Sequence, residues 1–145
     1  MRPLKKFEEY LDMRVVDKRS PDKNRARSLI NEAENRKSFI EQVIKKIGIN
    51  DDNANYFIEN VYDILIELIR ARLLLTGYHS SGMGAHEAEV AYMRNLGFDE
   101  KDVRFMNDLR YFRNGILYYG KRFNSEYAQK VISFLGKVYP QLNKT

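Results

Sequence analysis

Along most of this chain apolar residues return every three or four positions, the spacing of one helix face. Runs that alternate apolar and polar at every second residue are absent. Leu4, Phe7 and Leu11 fall on one side of a short helix opened by Pro3 and running through Met13, and Val15 to Arg19 reads as a connector. Ser20-Pro21-Asp22 is a helix start, with Ser as N-cap, Pro at the first helical position and Asp suited to the positive end. The helix it opens carries Leu29, Ile30, Ala33, Ile40, Val43, Ile44 and Ile47 at helical spacing and stops at Gly48. Asp51 or Asp52 caps a third helix ending at Thr76-Gly77. Its stretch from Ile64 to Leu75 is apolar almost all round, which predicts a central position in a bundle.

The segment Tyr78 to Gly84, rich in Gly and Ser, reads as a loop. A fourth helix over about Ala85 to Leu96 ends at Gly97. Asp99 caps a fifth, with Val103, Phe105, Met106, Leu109, Phe112 and Ile116 as its apolar set. Ser125 caps a sixth, with Tyr127, Val131, Phe134, Leu135 and Val138 inward and Pro140 at its end. The expected fold is all-α: an antiparallel up-and-down bundle of four to five main helices plus a short N-terminal helix. The expected organisation is one domain over 1–145, with 1–19 as N-terminal helix and connector and 20–140 as the bundle core.

Composition narrows the chemistry. The chain has no cysteine, which excludes disulfides, thiolate catalysis and Cys-based zinc sites. No stretch reaches the roughly 18 apolar residues of a membrane span, and MRPLKKFEEY carries charges where a signal peptide needs an apolar core. The expected compartment is the cytoplasm, with no membrane partner. Twenty-five Lys and Arg against 20 Asp and Glu give a net charge of +5. That charge suits either a solvated surface or a polyanion partner such as RNA. Nothing calls for a cofactor or metal: there is no phosphate-cradling glycine loop and no dinucleotide fingerprint, and the two histidines, His79 and His86, match no metal-binding spacing. A helix-turn-helix at Gly97 is disfavoured because the following FDEKDV is acidic and would repel a phosphate backbone.

Residues 104 to 122, RFMNDLRYFRNGILYYGKR, interleave cations and tyrosines. Arg110, Arg113 and Asn114 lie near one another on a helix, Lys121 and Arg122 follow, and Tyr111, Tyr118 and Tyr119 stand between them. Such a cluster can hold a phosphate and stack a base. In this segment, and in its place behind a long apolar helix and a His/Ser/Gly loop, the chain resembles the HEPN superfamily (higher eukaryote and prokaryote nucleotide-binding) over about residues 20 to 140. Those bundles of four or five helices commonly form homodimers. Their signature is an Arg followed after four to six residues by a His, often with a polar residue directly after the Arg. Arg113-Asn114 matches the first half, and Tyr118 stands where the His would be.

The resemblance implies binding of RNA or a nucleotide and, in its active members, metal-independent ribonuclease chemistry. There the ribose 2′-hydroxyl attacks the adjacent phosphate, the His handles protons and the Arg steadies phosphate charge. It also implies a toxin–antitoxin or defence setting with a nucleotidyltransferase partner. Arg113 and Tyr118 are then the candidate catalytic pair, and Arg110, Arg113, Asn114, Tyr118, Tyr119, Lys121 and Arg122 the candidate phosphate- or RNA-binding set. Tyrosine, with a pKa of about 10, is a poor base at pH 7, so the expected cleavage is weak or absent.

Five residues turn a straight helix through about 500°, so Arg113 and Tyr118 point about 140° apart. Convergence would need a distortion, for which Gly115 is the natural place. Alternatively Arg113 meets its symmetry mate across a dimer axis. His79 or His86 supplies an imidazole to the Arg113 region, or else is a solvated or capping loop residue. Asp63, Glu67 and Arg70 share one face at i, i+4, i+7 and form a surface stripe, a dimer seam or the wall of a polar cleft. Two further readings stay open: a helical dimerisation or scaffold protein without nucleic acid, and an active ribonuclease in which another residue takes the His role.

Overall fold

A computed structural model describes residues 3–144; Met1, Arg2 and Thr145 of the expected domain span lie outside the described residues. Six helices follow in order: α1 (Phe7–Asp12), α2 (Lys23–Lys46), α3 (Ala54–Leu75), α4 (Ala85–Ala91), α5 (Glu100–Tyr119) and α6 (Ser125–Leu142). Two three-residue strands, β1 (Val16–Lys18) and β2 (Tyr78–Ser80), pair antiparallel, Asp17 facing His79.

The four long helices form the expected up-and-down bundle, and side-chain contacts fix its directions. Asp22 N–H donates to the Leu74 carbonyl at one end of α2–α3, and Arg36 reaches Asn60 further along, so α2 and α3 are antiparallel. On α5, Arg113 meets Asp63 of α3, while Asn55 at the start of α3 holds backbone groups of Lys121 and Phe123 just past α5; these two are antiparallel as well. Phe105 packs against Phe134 and Phe112 meets Tyr127 edge-to-face, which sets α6 antiparallel to α5.

The third helix lies at the centre, touching α2, α4, α5 and α6. Phe57, Ile58, Val61, Ile64, Leu65, Leu68, Ile69 and Leu73 are almost wholly withdrawn from solvent, as an all-round apolar helix demands. Burying side chains of this size is worth roughly 1.5–3 kcal/mol each. Phe7, Tyr10 and Val16 join the same core, so the N-terminal segment packs onto the bundle.

The charged residues on α3 are not a surface stripe. Asp63 pairs with Arg113 of α5, Glu67 with Arg36 of α2, and Arg70 with Glu89 of α4, while Arg72 donates to the Gln141 carbonyl near the end of α6. These four charged positions therefore each tie down a different neighbour. Such pairs add less to stability than their Coulomb energy suggests, but they penalise any other register.

Local details depart from the sequence expectation. The connector and the Gly/Ser loop pair as β1 and β2, three residues being too short to show alternation. The first helix forms only from Phe7. The α2 N-cap is Asp22, whose Oδ1 accepts from Arg25 N–H, and not Ser20; α3 is entered through Asn53 and α6 through Asn124. The fourth helix closes at Ala91 and continues as turns. Asp99 caps α5 as expected, accepting from Asp102 N–H at 2.9 Å.

Candidate functional site

The cation-rich segment runs through α5 without interruption as far as Tyr119. Gly120 then adopts a left-handed conformation (φ 64°), and the Gly115 carbonyl accepts from both Gly120 N–H and Lys121 N–H. This closure turns the chain back on itself. Lys121 and Arg122, expected within two turns of the cluster, leave the helix and fold alongside it.

A cleft of about 360 Å³ opens between α5 and the start of α4. Arg110, Arg113, Asn114 and Tyr118 form its α5 wall; His86 and Glu87 face them, with the Gly82–Gly84 turn at the rim. Arg113 and Tyr118 thus line one cleft on a regular helix, with no break at Gly115. Their long side chains span the angle that separates their Cα–Cβ bonds.

The cations are held but not consumed. Arg113 donates from Nη2 to Asp63 Oδ1 at 3.2 Å, and its guanidinium carbon lies 5.4 Å from the centre of the Tyr62 ring. Arg113 Nε is buried with no acceptor. Arg110 donates from Nε to Asn107 Oδ1 at 3.0 Å, and its Nη1 stands 4.0 Å from Glu87, too far for a hydrogen bond. Two guanidiniums and one carboxylate, Glu87, line the cleft, with Asp63 pairing Arg113 from α3, so guanidinium N–H groups of Arg110 and Arg113 stand at the opening beside two carboxylates.

The imidazole is anchored from below. His86 Nδ1 lies 2.8 Å from the Tyr62 hydroxyl, which leaves Nε2 as the ring nitrogen for the cleft. Burial pushes the His86 pKa down, with Arg70, Arg113 and Arg110 pushing the same way against Glu89. The shift favours the neutral ring. Burial also drives the Tyr62 phenol well above its usual pKa, so Tyr62 keeps its proton. His79 sits elsewhere: it lies in β2, and its Nε2 is 3.4 Å from the Ser20 carbonyl.

No family model, curated protein or solved structure matches this chain.

Of the seven residues expected to bind phosphate or RNA, Arg110, Arg113, Asn114 and Tyr118 share the cleft. Tyr119, Lys121 and Arg122 line a second groove on the far side of Tyr118. Arg122 pairs at 3.7 Å with Asp52, both well exposed. Two residues of the cleft system, Glu87 and the supporting Tyr62, were not placed there from sequence, whereas Asp63, which pairs with Arg113, fits the polar-cleft alternative read for its helix face. Glu87 and Tyr62 lie 26 and 51 residues from Arg113 along the chain, and no local spacing announces them. The only sequence signal for His86 is a lone imidazole beside a glycine-rich turn.

Proposed function

We propose that the protein binds the phosphate of RNA or of a nucleotide in the cleft between α4 and α5. The observation that carries this reading is the convergence of Arg110 and Arg113 on a partly open cleft that also holds Asn114, Tyr118 and His86. Guanidiniums match phosphate geometry, and Arg113 gives Asp63 one hydrogen bond, from Nη2. The reading accords with the HEPN resemblance. With it go a homodimeric cytoplasmic protein, a toxin–antitoxin or defence setting, and a nucleotidyltransferase partner. Among the described residues no helix is long and apolar enough to cross a membrane.

Fluorescence anisotropy with a labelled single-stranded RNA at two salt concentrations tests the proposal. The expected result is micromolar or tighter binding that weakens as salt rises. Arg113→Ala and Arg110→Gln should each weaken it about tenfold, with circular dichroism confirming the fold. Absence of binding at low salt, or full binding by both variants, overturns the proposal and leaves a helical dimerisation module.

A second reading is favoured by His86. An imidazole buttressed by Tyr62 stands in the same cleft as two guanidiniums. In that reading His86 Nδ1–H donates to the Tyr62 oxygen, so that the free Nε2 takes the 2′-hydroxyl proton while Arg110 and Arg113 steady the phosphate. The 2′-oxygen–phosphorus bond forms, the 5′-oxygen leaves, and Tyr118 or water returns a proton to it. Cleavage in excess EDTA of RNA but not of its 2′-deoxy analogue, lost in His86→Gln, supports this reading. Wild-type cleavage rates in His86→Gln refute it.

A further inference from the structure

We infer that the groove over Gly115 is a subsite for one unpaired nucleobase, whose phosphate lies in the adjoining Arg110–Arg113 cleft. The inference rests on the proposed phosphate site and specifies its ligand: a single-stranded nucleotide unit, with the base on one side of Tyr118 and the phosphate on the other.

The two depressions are neighbours. The groove has a volume of about 440 Å³, and Asn114 and Tyr118 line both it and the cationic cleft. Such volumes fall in the range of small-molecule sites, roughly 300–1,000 Å³. A ligand crossing the Tyr118 wall meets guanidiniums on one face and aromatic rings on the other.

Local structure explains the groove. Tyr111, Gly115 and Tyr119 stand at i, i+4 and i+8, on one face of α5. The middle position has no side chain, so the two tyrosine Cα atoms flank an open step about 12 Å long. The reversal at Gly120 brings the Lys121 stem over that step. A Cβ placed on Gly115 would meet Lys121 Cγ and Cδ at 3.5 Å, ordinary van der Waals contact, and Gly115 does not have a left-handed φ. Neither sterics nor backbone conformation requires glycine there, and glycine is a poor helix former. What its bare backbone provides is a low floor between the tyrosines, along which the Lys121 stem runs.

The lining selects a flat, π-faced ligand. Tyr111, Tyr118 and Tyr119 are 51%, 72% and 80% exposed, unusual for three rings around one depression. Aromatic rings stack bases of any sequence because every base has a π-face. Asn114 brings a donor and an acceptor to the shared wall for a base edge. Lys121 and Arg122 put positive charge at the rim, which suits the flanking phosphates of a nucleic acid strand. The base must be unpaired, because a duplex keeps its base faces stacked inside.

Anisotropy titration of the full chain tests this with three labelled probes of equal length: single-stranded RNA, its duplex, and an abasic ribose-phosphate oligomer. Wild type should bind the single strand about tenfold tighter than the duplex or the abasic probe at the same salt. Gly115→Leu, which fills the floor, and Tyr119→Ala should each weaken single-strand binding about fivefold or more. Neither should alter abasic binding, whereas Arg113→Ala lowers both. Gly115→Ala should melt no lower than wild type, which shows that the position is free of structural demand. If Gly115→Leu misfolds, Tyr119→Ala decides alone.

Equal affinity for all three probes overturns the inference, as does wild-type single-strand binding by Tyr119→Ala. If Arg113→Ala still loses binding in either case, the phosphate site survives while the base subsite falls. If Arg110→Gln and Arg113→Ala bind normally, the phosphate site itself falls. Should Tyr119→Ala convert a dimer to a monomer with RNA binding unchanged, the groove is an interface between copies and the subsite is refuted.

Discussion

Glu89 is wholly buried, yet it carries a carboxylate, and its removal should unfold more than its own surroundings. It accepts from Arg70 Nε at 2.6 Å and Nη2 at 3.0 Å, and from Ser80 Oγ at 2.8 Å. One carboxylate therefore joins α4 to the central α3 and to β2. Glu89→Ala leaves the partly buried Arg70 guanidinium without its partner. Breaking one side of a buried pair costs about 3–5 kcal/mol. Arg70 retains about a quarter of its side-chain exposure, which places the expected cost near the lower end, about 3 kcal/mol. For a chain of this size that loss lowers Tm by roughly 6–12 °C. Thermal and urea unfolding measure it, with the double variant Arg70→Ala/Glu89→Ala closing a cycle. A coupling energy of about 1.5–3 kcal/mol is expected. A Tm drop under 2 °C, or coupling near zero, would refute the view that this pair clamps α4. The site is affected too: α4 carries His86 and Glu87, so RNA affinity should fall more in Glu89→Ala than in an equally destabilised core variant such as Leu65→Ala.

Three other outcomes follow from the geometry. Gly77 sits at φ +89°, and a Cβ there would run into the Arg19 carbonyl; Gly77→Ala should cost about 2 kcal/mol or more by urea unfolding, since strain and clash add, and a stabilised variant would contradict the packing of the β1–α2 connection on α3. Because the His86 pKa is pushed below its usual 6.5, the folded chain binds fewer protons just under that pH than the unfolded chain does. Stability from this group is complete above about pH 6.5 and declines as pH falls below it; unfolding from pH 5 to 7.5 should show that slope, and His86→Gln should flatten it. Glu87 is the one carboxylate lining the cationic cleft and stands 4.0 Å from Arg110; Glu87→Gln should tighten RNA binding about three- to fivefold at low salt, an effect that fades as salt screens the charge, and weaker binding would mean that Glu87 positions Arg110 rather than competing with the anion.

The six helices were legible because their causes are local. Apolar spacing marks each buried face, and Asp99 announces its own helix by capping it. The capping of α2 was not: Asp22 takes the place of Ser20 because its own N–H is drawn to the Leu74 carbonyl of α3, a partner 52 residues away in sequence. The β1–β2 pair escaped notice for a related reason, since strands of three residues are specified by what they lie against.

For the site, the sequence by itself determined that Arg110, Arg113, Asn114 and Tyr118 ride on one helix and that no cysteine chemistry is available. Only the tertiary structure decided what faces them. Packing α4 against α5 brought His86 and Glu87 opposite the guanidiniums, α3 supplied Asp63 and Tyr62 from beneath, and the turn at Gly120 moved Lys121 and Arg122 to a separate groove. Helix periodicity fixes neighbours three and four residues apart. Which distant side chains meet across a cleft depends on how whole helices bury their apolar faces, and no local spacing records that.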